Sequence, residues 1–191
     1  MLPIRTERLL LRPFEDGDLP ALYEMQRRED VTRYLYWGPR SLDAVRDFLE
    51  RMKLMTGLDE ESNALRLAGV LPDTGELVGD YSLFRTSREH RQGEIGYITH
   101  PDHGGRGYAV EAARALLKVG FEIYGLHRVM ASCDARNAAS ETVMKRLGMR
   151  CEAHFRENEL VKGEWTDELI YALLADEWSR RPVPSAAPDG A

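Results

Sequence analysis

Apolar positions change their spacing several times along the chain, and each change predicts an element. Apolar and arginine residues mix from Ile4 to Phe14 and stop at Pro13, which predicts a strand. Asp18 then stands as a cap before a stretch in which Leu19, Leu22, Tyr23 and Met25 share one side, with Pro20 in the first turn. This predicts a helix over EDGDLPALYEMQRRED. Ser41 caps a second helix, where Leu42, Val45, Phe48, Leu49 and Met52 recur at helical spacing. YLYWGPR, between the two, is broken by Gly38-Pro39 and reads as a loop. Its Tyr34, Tyr36 and Trp37 are either core filler or pocket lining.

Three runs then alternate: ALRLAGVL, ELVGDYSLFR and GEIGYITHP, joined by the turn PDTG and the polar loop TSREHRQ. Short turns between them predict an antiparallel meander. Ala109, Ala112, Ala113, Leu116, Leu117, Phe121 and Tyr124 follow as the stripe of a half-buried helix. HRVMASCDA reads as a strand. NAASETVMKRLGM reads as a short helix with Asn137 as cap and Gly148 as stop. CEAHFRENELV, a turn at Lys162-Gly163 and TDELIYALL form a final strand pair. The expected fold is a single α+β domain over residues 1–180, a mixed sheet with helices on its faces. The Pro/Ala-rich residues 181–191 read as a tail without fixed structure.

The chain has 191 residues, 43% hydrophobic and 30% charged, enough for one domain with a real core. No apolar run approaches the ~18–20 residues needed to span a bilayer. The N-terminal stretch is broken by Arg5, Glu7, Arg8 and Arg12 and lacks a signal-peptide core, so a cytoplasmic location is expected. Cys133 and Cys151 have no metal-ligand spacing. His100 and His103 sit in a Pro/Gly loop without a zinc pattern, and no metal is expected. A net charge of −6 and the absence of a basic run disfavour nucleic acid. They are compatible with a cationic partner, but discriminate weakly.

Gly104-Gly105-Arg106-Gly107-Tyr108-Ala109 changes the picture. Glycine permits positive φ and close approach by a ligand. A helix N-terminus adds free N–H groups and the positive end of a dipole, together an anion site suited to a pyrophosphate. A P-loop string is absent, and the third glycine of a dinucleotide fingerprint is missing. Alone, the GxG is as consistent with a turn.

The order of motifs carries more. The opening T-E-R-L-L-L-R-P, the loop H-P-D-x-x-G-R-G-Y-A-x-E-A, the segment N-x-x-S-x-x-V-M-x-R-L-G-M and the ending G-x-W-x-D-x-x-x-Y-A-L-L together resemble the GNAT superfamily of N-acetyltransferases. Within it the chain is similar to the branch of ribosomal-protein N-terminal acetyltransferases. The resemblance implies a mostly antiparallel central sheet flanked by helices, acetyl-CoA as cosubstrate, and direct attack by a primary amine in a ternary complex. It implies that Gly104, Gly105, Arg106, Gly107, Tyr108, Ala109 and Val110 hold the pyrophosphate, with Gly104 a departure from the usual first residue. It implies that Tyr97, Ile98 and Thr99 bond the pantetheine through their backbone, with the free N–H near Ile98, and that Asn137 and Ser140 contact the same arm. Many members carry a tyrosine seven residues after the asparagine as general acid; here that position is Met144.

The chemistry needs a neutral amine, a donor for the oxyanion and aligned reactants. Glu94, opening GEIGYI, is the candidate base, against the reading of an outward strand glutamate. His100 and Asp102 are loop alternatives. Ser140 is the candidate acid, against the reading of a first-turn hydroxyl without a role. Glu111 reads as structural. Tyr34, Trp37, Tyr81 and Phe155 are candidates for the acceptor pocket by analogy, with Trp165 nearby. The expected acceptor is a protein N-terminus or a small-molecule amine. The alternatives are a non-catalytic acyl-CoA-binding module on the same fold and a scaffold whose glycine loop binds nothing. A homodimer is compatible with the resemblance, but no interface is legible.

Overall fold

A computed structural model describes residues 2–59 and 62–180; the predicted tail lies outside them. Where a single opening strand was expected, the chain makes β1 (Ile4–Arg5) and β2 (Leu10–Arg12), paired antiparallel. The turn between them closes because Thr6 and Leu9 exchange backbone and hydroxyl bonds. The first predicted helix is also broken. A 3-10 turn at Asp16–Asp18 leads into α1 (Leu19–Gln26), and a separate short α2 spans Glu29–Thr32. Helix α3 (Leu42–Lys53) starts as expected, with the Ser41 hydroxyl accepting from Ala44 N–H at 3.3 Å.

The meander is β4 (Asn63–Val70), β5 (Leu77–Ser87) and β6 (Gln92–Thr99), preceded by an unforeseen short β3 (Thr56–Leu58). Helix α4 (Tyr108–Lys118) buries Ala112, Ala113, Leu116 and Leu117 completely and continues as a π turn over Val119–Ile123. Each buried leucine contributes about 1.5–3 kcal/mol. Strand β7 (Arg128–Asp134), helix α5 (Ala138–Arg146) and the long hairpin β8 (Arg150–Val161) with β9 (Glu164–Leu174) follow. The short α6 (Ala175–Ser179), missed by the pattern, stacks Trp178 on Phe121.

The strands form one sheet in the order β1-β2-β4-β5-β6-β7-β9-β8, with β3 beside β4. Every pairing is antiparallel except β6 with β7. Side chains alternate between two cores. Leu65, Leu67, Tyr81, Leu83, Ile95 and Val129 face α4 and α5. Ala68, Val70, Leu77 and Ile98 face α1 and α3.

Candidate active site

The parallel pair holds for only three residues, ending at Glu94 opposite Met130. Beyond that point β6 stays with β5 as far as Thr99, and β7 stays with β9 as far as Asp134. The sheet therefore splits, and a cleft of about 880 Å³ runs along the split. One wall is Ile95 to Thr99, the other Ser132 to Asp134.

The register decides which backbone groups face the gap. His100 N–H donates to the Val78 carbonyl at 2.8 Å. In an antiparallel ladder bonded pairs recur every second residue, so Ile98 and Gly96 point their backbone groups at β5. Tyr97 and Thr99 point theirs into the cleft. The N–H groups facing the cleft near Ile98 are therefore those of its neighbours Tyr97 and Thr99, while that of Ile98 itself points at β5.

The cleft continues to the glycine loop. Gly107 is the N-cap of α4 at φ +84°, and Gly105 stands at φ +74° with nothing within 4 Å of where a Cβ would be. The left-handed conformation turns the chain sharply and leaves the first N–H groups of α4 without helical acceptors. The loop is held from behind. Glu111 accepts from the Thr6 hydroxyl at 2.6 Å, the Arg8 backbone N–H at 2.7 Å and Arg8 Nε at 2.7 Å. Burial pushes the Glu111 carboxyl up, but these bonds outweigh it and its pKa is lowered. Glu111 is thus structural, as expected. Arg8 also lies over the Tyr108 ring and donates to the Arg106 carbonyl at 2.9 Å.

Residues 8–150 match the Acetyltransferase (GNAT) domain family. The uncharacterized N-acetyltransferase YnaD of Bacillus subtilis is 36% identical over 176 residues, covering 92% of this chain and 99% of its own. A GNAT-family acetyltransferase structure from Bacillus anthracis superposes with a TM-score of 0.81 at 34% identity, covering 91% of this chain and 99% of that one. The chain belongs to the GNAT acetyltransferase family. The spermidine N(1)-acetyltransferase of Escherichia coli K12 is a more distant relative, 24% identical over 168 residues, with 88% of this chain and 87% of its own covered.

The GNAT fold gathers many of the expected residues. Glu94, Tyr97, Ile98, Thr99, Gly104, Gly105, Gly107, Tyr108, Ala109, Val110, Asn137 and Ser140 all line the cleft, as does Tyr34. Arg106 does not; only its carbonyl takes part in the loop. Asn137 spends its carbonyl oxygen capping α5, accepting from Ser140 N–H at 3.1 Å. Met144, at the position of the family's usual tyrosine, is fully buried.

Four pocket assignments are corrected. Tyr81 is fully buried in the core on the α4 face, its hydroxyl 3.4 Å from Thr99 Oγ1. Alternation along β5 turns it away from the acceptor side. Trp37 lies under the Arg40 guanidinium, 3.9 Å from its ring centre, outside the lining. Phe155 and Trp165 stand out from the hairpin, 44% and 63% exposed. Of the loop alternatives, His100 bonds the Asp102 backbone N–H through Nδ1, and neither residue lines the cleft.

Beside them stand Tyr36, which the sequence offered as core filler or pocket lining, and residues it did not signal. Tyr36 donates to Glu159 of β8 at 3.0 Å, and Lys162 at the hairpin turn donates to the Thr32 and Arg33 carbonyls at 2.7 and 3.0 Å. These contacts bring β8 over the loop that follows α2. Arg66 and Asp80 form a buried pair in the floor. Burial and the charge of Glu168 push the Glu94 pKa up, partly offset by a bond from Ser132. Burial likewise pushes Tyr97 up to about 12 and Cys133 up to about 11, each partly offset by Ser140.

Proposed function

We propose that this protein transfers the acetyl group of acetyl-CoA to a primary amine, small molecule or protein N-terminus, by direct attack in a ternary complex. The observation that carries the reading is the split of the sheet after Glu94. It exposes the backbone of Tyr97 and Thr99 as a ladder edge for an amide-bearing arm, ending at a glycine loop and helix N-terminus suited to a pyrophosphate. The family to which the chain belongs uses such a cosubstrate. The Tyr97 N–H is the backbone donor available to the oxyanion.

Glu94 sits at the vertex of the split and is the base, accepting the amine proton directly or through water. Its raised pKa brings it closer to a neutral working pH, where a base is most effective. An α-amine with a pKa of about 7.7–8.0 needs little such help, whereas a lysine-type amine at about 10.4 needs roughly 4–5 kcal/mol to lose its proton at neutral pH. Glu159, also in the lining, pairs with no cation among the described residues. It favours a positively charged acceptor, and acetylation removes that charge from the product. Relatives named for spermidine fit such chemistry.

The test is thermal melting with and without acetyl-CoA, followed by thiol release with a panel of amines. Acetyl-CoA at about 100 times its dissociation constant adds about 2.7 kcal/mol, an easily seen rise in Tm. No rise at millimolar acetyl-CoA refutes the reading. A rise without turnover on any amine leaves the alternative of an acyl-CoA-binding module.

A further inference from the structure

On the face of the split opposite Glu94, three side chains meet. Tyr97 Oη lies 3.0 Å from Ser140 Oγ and 3.1 Å from the Ser140 carbonyl. Cys133 stands on the facing strand, with Ser140 next to its thiol. Tyr97, Cys133 and Ser140 all line the cleft.

We propose that Tyr97 is a positioning residue whose phenol donates to Ser140 Oγ, turning the serine hydroxyl proton toward the departing thiolate. The inference rests on the acetyl-transfer reading above. The phenol has one proton and two nearby acceptors. The Ser140 carbonyl lies within α5, where the N–H four residues on is its regular partner. Oγ has no such claim on it. If Ser140 donated to Tyr97 instead, its proton would be spent on the phenol. With Tyr97 as donor, the serine proton is left free for a group in the cleft, which Ser140 lines. Tyr97 keeps its proton through the working range, because burial holds its pKa at about 12.

The step balances without a proton leaving Ser140. The amine nitrogen forms the new bond to carbon, the carbon–sulfur bond breaks, and the electron pair departs on sulfur. The amine proton goes to Glu94. A thiol pKa of about 8.5 makes the thiolate a tolerable leaving group once a hydroxyl donates to it. Met144 supplies no donor of its own, so the phenol–hydroxyl pair takes over that task.

The experiment is thiol release from acetyl-CoA with hydroxylamine as acceptor, a small nucleophile independent of acceptor specificity, with the uncatalysed rate subtracted. Tyr97→Phe keeps the ring and removes the donor. Tyr97→Phe and Ser140→Ala are each expected to lower kcat about tenfold, the size of one hydrogen bond to a charged group, with the acetyl-CoA KM within about twofold of the parent. The double variant should be no slower than Ser140→Ala alone. Multiplying losses, or a Tyr97→Phe with unchanged kcat, overturns the inference while leaving acetyl transfer intact. A parent protein that neither gains Tm with acetyl-CoA nor accelerates thiol release overturns both.

Discussion

Gly79 and Gly69 face each other across β4 and β5, and alanine at each tests whether the cleft wall is held by packing behind it. An added Cβ at Gly79 would collide with the Ile98 carbonyl oxygen and lie 2.8 Å from Tyr81 Oη. An added Cβ at Gly69 would collide with the Tyr81 ring edge, with Leu11 Cδ2 at 3.3 Å. Both overpack the same core, costing about 1–3 kcal/mol each. The gain from a stiffer unfolded chain, about 0.4–1 kcal/mol, offsets only part. At about 2–4 °C per kcal/mol for a domain of this size, either variant should melt some 2–10 °C lower. Their activities should part. Gly69→Ala displaces side chains, which can adjust. Gly79→Ala pushes the backbone of β6 between Tyr97 and Thr99, the two residues whose backbone lines the cleft. A shift of about 1 Å in such positioning costs up to about a hundredfold in rate. Thiol release with hydroxylamine, run at 25 °C on folded protein, reads the difference. Gly69→Ala is expected within about threefold of the parent and Gly79→Ala lower by tenfold or more. Equal rates in the two variants would refute the argument that β6 is positioned from behind.

Glu94→Gln should lower kcat by about 10²–10⁴ and abolish the acidic limb of the rate profile, which in the parent lies above the ordinary carboxylate range. A raised pKa in the folded state favours the protonated form, so Glu94 supports the fold at low pH and loses that support as pH rises through the folded value. Glu94→Gln should therefore melt higher than the parent at pH 8, and the gap should close on acidification, as seen in melts across pH. Asp80→Asn removes the partner of Arg66 in a pair whose carboxylate side chain is 1% exposed. Leaving the guanidinium buried and unpaired costs about 3–5 kcal/mol, a fall in Tm of about 10 °C by calorimetry.

Much of the architecture was legible because periodicity reports burial directly. The stripe Ala112, Ala113, Leu116 and Leu117 and the cap at Ser41 were read from spacing and stand as read. The glycine loop was legible because positive φ restricts residue choice. Breaks within elements were not. Thr6 to Leu9 turns because Glu111, more than a hundred residues away, gathers its donors. The acceptor side was the least legible. Tyr36 meets Glu159, and Lys162 meets Thr32, across separations that no local pattern encodes. Tyr81 was misplaced because an aromatic in a strand reads alike on either face until the register is known.

Register also explains why one short parallel contact suffices to organise the chemistry. Along β6, Glu94 and Ile98 lie on one face and Ile95, Tyr97 and Thr99 on the other. Ser132 of β7 meets Glu94, while Cys133 meets Ser140 on the opposite face. The proposed base and the proposed leaving-group donor are thus placed on opposite sides of the same sheet. In an unbroken sheet they would be separated by a backbone ladder, and no substrate could touch both. Ending the parallel pair at Met130 removes the ladder at that level only. In the proposed reaction, an amine reaching Glu94 and a thioester held on the Tyr97 side meet through the gap. The outer pairings, β6 on β5 and β7 on β9, continue past the split, so each wall of the opening remains part of its own ladder.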